Sequence, residues 1–81
     1  MNVRVQFFSH LRDAIGTSSV DVDLGEGASV FELLQKLYDR FPILRQHDKS
    51  ILVGAGVEFV ERDYKIRASD DVAVMPPVQG G

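Results

Sequence analysis

The sequence predicts an α+β domain: a mixed sheet of four to five strands, one main helix packed on one face, and an extended C-terminal tail. Three observations carry that expectation. Apolar residues alternate at Val3, Val5 and Phe7 and again at Val20, Val22 and Leu24, the period-two pattern of strands with one buried face. Val30, Leu33, Leu34, Leu37, Tyr38 and Phe41 recur at three- and four-residue intervals, which is the stripe of a helix lying on a sheet. A last apolar run, Val72 to Met75, leads straight into Pro76-Pro77, whose fixed φ and missing N–H groups end sheet pairing and forbid a helix.

The first strand holds Val3, Val5 and Phe7 on its inner face, which leaves Phe8 on the outward parity of Asn2, Arg4 and Gln6. Ser9 offers an N-cap, Leu11 and Ile15 stand four apart, and Gly16 supplies a stop, so a short helix is expected here. Val20, Val22 and Leu24 alternate with Asp21 and Asp23, giving a second strand that pairs antiparallel with the first. Gly25-Glu26-Gly27 could suggest a phosphate cradle, but no third glycine and no Lys-Ser/Thr completes a nucleotide motif, so it reads as a tight turn.

Ser29-Val30-Phe31-Glu32 is a capping box, with Ser29 serving the Glu32 N–H and Glu32 reaching back to Ser29. Pro42 ends the main helix, Ile43 to His47 forms one more turn, and Asp48-Lys49-Ser50 is a loop. The outer helix face, Glu32, Gln35, Lys36, Asp39 and Arg40, reads as solvated surface. Ile51 to Val53 and Val57 to Val60 are strands around a Gly54-Ala55-Gly56 kink. Glu61 to Ala68 is charged and irregular, and Ser69-Asp70-Asp71 turns into the last strand, with Val72 and Val74 on one face and Ala73 and Met75 on the other.

Eighty-one residues, 44% of them apolar, make one domain with a modest core: residues 1–75, followed by the tail 76–81. With no cysteine, disulfides, thiolate metal sites and cysteine nucleophiles are excluded. A net charge of −3 with no basic patch among stacking aromatics argues against nucleic acid. No leader pattern and no apolar run near the ~20 residues of a membrane span are present, so a cytoplasmic protein without a membrane partner is expected. His10 reads as a lone surface histidine, and no metal site is expected.

A single helix covers one sheet face, so the other is partly open. Phe8, Phe59 and Met75 fall on that outward side as a docking surface for a partner, the alternative being that they plug the sheet rim. Gly80 and Gly81 carry no Cβ, which makes the tail thin enough to thread a narrow channel and leaves the Gly81 carboxylate open to attack. A diglycine at a terminus means little by itself. The stiff Pro76-Pro77 spacer ahead of it gives the end a direction, and the Gly81 carboxylate is the candidate reactive group.

The element order and the ending Asp71-Val72-Ala73-Val74-Met75-Pro76-Pro77-Val78-Gln79-Gly80-Gly81 resemble the ubiquitin-like β-grasp sulfur carriers, most closely the small subunits of molybdopterin synthase. Val5-Gln6-Phe7-Phe8-Ser9-His10-Leu11-Arg12-Asp13-Ala14-Ile15-Gly16 is similar to that family's opening strand and short helix. The chain departs from the family at Gly54-Ala55-Gly56, at Asp70-Asp71, and at Val74-Met75, where two aromatics are usual. The resemblance implies that an E1-like adenylating enzyme uses ATP to convert the Gly81 carboxylate to an acyl-adenylate, and that sulfur from a persulfide donor replaces AMP to leave a thiocarboxylate. It implies delivery of that sulfur to cyclic pyranopterin monophosphate in the large synthase subunit, in a heterotetramer of two large and two small subunits. Pro76, Pro77, Val78, Gln79 and Gly80 would form the tail that binds within the partner's channel, and the chain would bind no cofactor and would not catalyse alone. Other readings are a carrier for a thiamine-type pathway, a ubiquitin-like modifier joined to lysines, and a non-catalytic β-grasp binding module with an inert tail.

Overall fold

The computed structural model describes residues 1–77. Its order is β1 (Asn2–Phe7), α1 (Ser9–Ile15), β2 (Ser19–Asp23), α2 (Val30–Arg40), a 3-10 segment (Pro42–His47), β3 (Leu52–Ala55), β4 (Glu58–Val60) and β5 (Val72–Met75). The five strands lie in one mixed sheet in the order β2-β1-β5-β3-β4. β5 runs parallel to β1, with Val5 opposite Val72 and Phe7 opposite Val74, while the β1–β2, β3–β5 and β3–β4 pairs are antiparallel.

Alternation sets the layers. Val3, Val5 and Phe7 of β1, Val53 of β3 and Val72 and Val74 of β5 are buried on the side that receives Val30, Leu33, Leu34, Leu37 and Tyr38 of α2. Burying each such aliphatic side chain contributes about 1.5–3 kcal/mol, and in this cysteine-free chain that burial holds the two layers together. Phe41 closes α2, and its ring meets Phe7 edge-on with centroids 6.2 Å apart. Pro42 then opens the 3-10 segment instead of a further α turn, as its fixed φ and missing donor require.

Two caps differ from the sequence reading. Ser9 is not the N-cap of α1. Phe8 holds that place with extended backbone, and Ser9 is the first helical residue at φ 58°. The cause lies in the sheet: the Phe8 N–H donates to the Val74 carbonyl at 3.3 Å, so the chain stays extended through Phe8 and makes its whole turn at Ser9. At α2 the Ser29 hydroxyl accepts from the Glu32 N–H at 3.2 Å, but Glu32 makes no return bond to Ser29. Ser29 instead forms an antiparallel bridge with Lys65.

The segment 61–68 is irregular as expected, yet it does more than cross solvent. The Val30 and Phe31 N–H groups donate to the Tyr64 and Arg62 carbonyls, both at 2.9 Å, and the Ile66 N–H donates to Ala28 at 2.8 Å. Helix N-termini leave unpaired donors, and here a second strand of chain satisfies two of them. Ile66 is thereby carried into the core. The Gly54-Ala55-Gly56 kink also resolves differently: Gly54 and Ala55 pair within β3, and the reversal falls at Gly56, whose φ is 65°. A side chain there would be strained, which is why glycine occupies it.

Lys36 and Arg40, read as solvated, reach the free edge of β2. The Lys36 ammonium donates to the Asp23 carbonyl at 2.7 Å and the Arg40 guanidinium to the Asp21 carbonyl at 3.1 Å. The two cations thereby occupy carbonyls that an added strand would use.

Entry to β3 is fixed by one polar cluster. The Arg62 guanidinium donates to the Asp48 carboxylate at 3.1 Å, to the Asp48 carbonyl at 2.7 Å and to the Ile51 carbonyl at 3.3 Å, while the Tyr38 hydroxyl donates to the same carboxylate. Burial, reinforced by the bond to Asp48, pushes the Tyr38 phenol up to about 12. The Tyr38 bond, followed by Arg62, holds the Asp48 carboxyl below the ordinary value of 3.8. The depressed carboxyl adds stability above its ordinary range that is lost as pH falls through the folded value; the raised phenol adds stability below pH 10 that is lost as pH rises toward 12. Tyr38→Phe removes one partly buried hydrogen bond and should cost about 0.5–1.5 kcal/mol at neutral pH. Denaturant melts across pH should show the alkaline fall in stability flattened in that variant.

Candidate functional site

The open face of the sheet is graded. Toward β2 and β1 it is polar, with Arg4 paired to Asp21 at 3.4 Å. Toward β5, β3 and β4 it becomes apolar, because register aligns one row of residues across the strands: Gln6 opposite Ala73, Ala73 opposite Gly54, and Gly54 opposite Phe59. The next row sets Leu52 opposite Met75, and Phe8 extends it from the end of β1. Phe59 is 64% exposed and Phe8 41%, with Met75 and Leu52 half-buried.

Gly54 shapes this face. A Cβ built on it would stand 3.4 Å from the Met75 methyl and 4.0 Å from the Ala73 Cβ. Its absence contributes to a shallow hollow of about 120 Å³ walled by Phe59, Ala73 and Met75. The face therefore offers two exposed rings, a flexible thioether and a depression between them, which is the composition of a surface that packs against another protein.

The root of the tail stands beside this patch. Since β5 runs parallel to β1, the chain leaves Met75 at the end of the sheet where Phe8 and α1 begin. Pro76 and Pro77 are half-buried and line a hollow of about 190 Å³ with Leu11, Ile51, His10 and His47. Three of the residues expected to meet a partner, Phe8, Phe59 and Met75, thus share one face with the exit. Val78, Gln79, Gly80 and Gly81, which include the candidate reactive group, lie outside the described residues. Among the described residues no three carboxylate or imidazole side chains gather where they could hold a metal ion, and no helix is long and apolar enough to cross a membrane.

Sequence reasoning missed Leu52, Gly54 and Ala73 as parts of the patch. Their signal lies in the pairing of β3 with β5, which is a fact of register that local alternation does not carry. It also missed that His10 and His47 come together, their ring centroids 6.2 Å apart, because 37 positions separate them in the chain.

Comparison with known proteins gives a consistent picture. The model of the ThiS family matches residues 5–81. The molybdopterin synthase sulfur carrier subunit of Dictyostelium discoideum is 30% identical over 81 residues, covering 96% of this chain and 94% of that protein. Among solved structures, the small archaeal modifier protein 1 of Methanosarcina acetivorans is 26% identical, covers 99% of this chain and 96% of its own, and superposes with a TM-score of 0.79. The protein-protein complex of subunits 1 and 2 of the molybdopterin-converting factor of Helicobacter pylori matches over 100% of both chains at 17% identity and a TM-score of 0.70, a likeness of fold. These neighbours share the ubiquitin-like β-grasp arrangement found here.

Because Phe59 stands on the open face with most of its ring in solvent, Phe59→Asp should change unfolding free energy by no more than about 0.5 kcal/mol. Thermal melts of the variant check this, and a large drop in midpoint would place Phe59 in the core.

Proposed function

The chain belongs to the ThiS family, among the sulfur carriers of the molybdopterin synthase small-subunit kind, and on that premise we propose that its working group is the Gly81 carboxylate. The observation that carries this reading is the placement of Pro76-Pro77-Val78-Gln79-Gly80-Gly81 directly after β5, a strand whose direction brings the exit to the edge of the apolar patch.

A carboxylate is a poor acyl electrophile until one oxygen becomes a good leaving group. An E1-like partner supplies this by joining the Gly81 oxygen to the α-phosphate of ATP with release of pyrophosphate. The outer sulfur of a donor persulfide then attacks the acyl carbon and displaces AMP. A second thiol of the donor cleaves the resulting acyl disulfide, leaving a disulfide on the donor and a thiocarboxylate whose sulfur is a portable nucleophile. Delivered to cyclic pyranopterin monophosphate in the large synthase subunit, two such sulfurs build the dithiolene of molybdopterin. In this scheme the chain binds no cofactor of its own and acts in the cytoplasm. The Helicobacter pylori complex of subunits 1 and 2 supports a large subunit as partner, and Phe8, Phe59 and Met75 are the contacts we assign to it, within an assembly of two large and two small subunits.

Likeness to an archaeal modifier protein favours a second reading, in which the activated Gly81 is passed to a lysine amine. Both readings need the same adenylate, so the discriminating measurement is the product. After incubation with activating enzyme, ATP and a sulfur source, intact mass should rise by about 16 Da, the exchange of one oxygen for sulfur at the terminal acyl group. Lysine adducts on other proteins, lost on deleting Gly80 and Gly81, would support the modifier instead, and an unchanged mass would leave the tail inert. Adding one residue after Gly81 should abolish the mass shift with little effect on the thermal midpoint.

The docking face has its own test. Phe8→Asp and Phe59→Asp should each weaken binding to the large subunit by roughly tenfold or more, the loss usual for a central aromatic contact. Calorimetric titration reads this directly, and undiminished affinity would remove the face from the interface.

A further inference from the structure

We propose that His10 and His47 form a two-imidazole site for a divalent transition-metal ion at the root of the tail, a site that the carrier reading does not require. The rings come from different elements, α1 and the 3-10 segment, and meet with centroids 6.2 Å apart and planes tilted by 58°. Imidazole nitrogen binds zinc at about 2.0–2.1 Å, so two rings sharing one tetrahedral ion would set their centroids roughly 5 Å apart. The observed separation is about 1 Å wider, a gap that a rotation of the exposed His10 side chain closes.

Three further observations point to a ligand. Among the described residues neither imidazole makes a hydrogen bond or an ion pair with the protein; His10 is exposed and His47 half-buried, so both rings are open to an incoming ion. The rings border the 190 Å³ hollow whose remaining walls are Leu11, Ser50, Ile51, Pro76 and Pro77. That lining contains no lysine or arginine to repel a cation, and it has room for the waters that would complete the coordination shell. The backbone beneath His47 is also fixed: its carbonyl accepts from the Ser50 N–H at 2.9 Å, the Ile51 N–H at 3.0 Å and the Ser50 hydroxyl at 3.1 Å. A pair of tilted rings could pack as a simple aromatic contact, which is common at this separation.

Imidazole selects zinc, copper or nickel over magnesium and calcium, which prefer oxygen. An ion held here would tie α1 to the 3-10 segment next to Pro76 and Pro77. Zinc chloride titrated into the untagged full chain, followed by calorimetry and by NMR of the histidine rings, is the test. One ion per chain should bind, with the signals of both rings shifting together, while magnesium leaves them unmoved. His10→Gln and His47→Gln should each weaken zinc binding by at least tenfold. Zinc should raise the thermal midpoint of the parent, since binding to the native state alone stabilises it, and should leave the midpoint of either variant unmoved. Absence of ring shifts at millimolar zinc, or full affinity in both variants, overturns the proposal.

Discussion

The parallel pairing of β5 with β1 is the constraint from which the remaining architecture follows. It sets Val72 against Val5 and Val74 against Phe7 at the centre of the sheet, and β3 on the other side of β5 takes up the opposite row of backbone groups. A parallel neighbour cannot be reached by a tight hairpin, so the chain must cross the sheet between β2 and the later strands, and α2 travels with that crossing. The same pairing fixes where the chain goes next. Both strands end on the same side, so the prolines emerge beside Phe8 and the start of α1.

Exposed surface on this molecule is unequally available. The outer carbonyls of β2 are occupied by Lys36 and Arg40, and β4 at the opposite margin has three residues. The broad face between these margins carries Phe8, Met75, Phe59 and the Gly54 hollow. Strand addition at the β2 margin is thereby disfavoured, and in the function proposed above a partner binds through side chains on the open face, where shape and apolar area decide specificity. The described residues offer a means of presentation; in the reaction we propose, the chemistry belongs to the enzymes that receive the tail.

Much of the fold was legible because its signals are local. Alternation at Val3, Val5 and Phe7 located β1, the apolar stripe located α2, and Gly16 and Pro42 marked two stops with a backbone reason for each. What was not legible depends on chain segments distant in sequence. Ser9 looked like a cap, but the sheet bond at Phe8 moved the turn onto it. Ile66 sits among charged residues and is a core residue because its segment is recruited to the open N–H groups of α2. The outward parity of Phe8 and Met75 gave part of the apolar open face, whereas Leu52, Gly54 and Ala73 joined it only through register. The histidine pair was invisible for the same reason, since 37 positions separate the two rings in the chain.

The central position of β5 also governs how the domain bears load. A partner that grips the tail pulls along β5, against hydrogen bonds on both flanks that lie across the direction of pull. Those bonds must fail together in shear, while a hairpin pulled from one end would unzip them singly. In the function proposed above, the tail is therefore fastened to a strand paired on both flanks, and a partner that drew it in would load those pairs in shear without unzipping the body behind it.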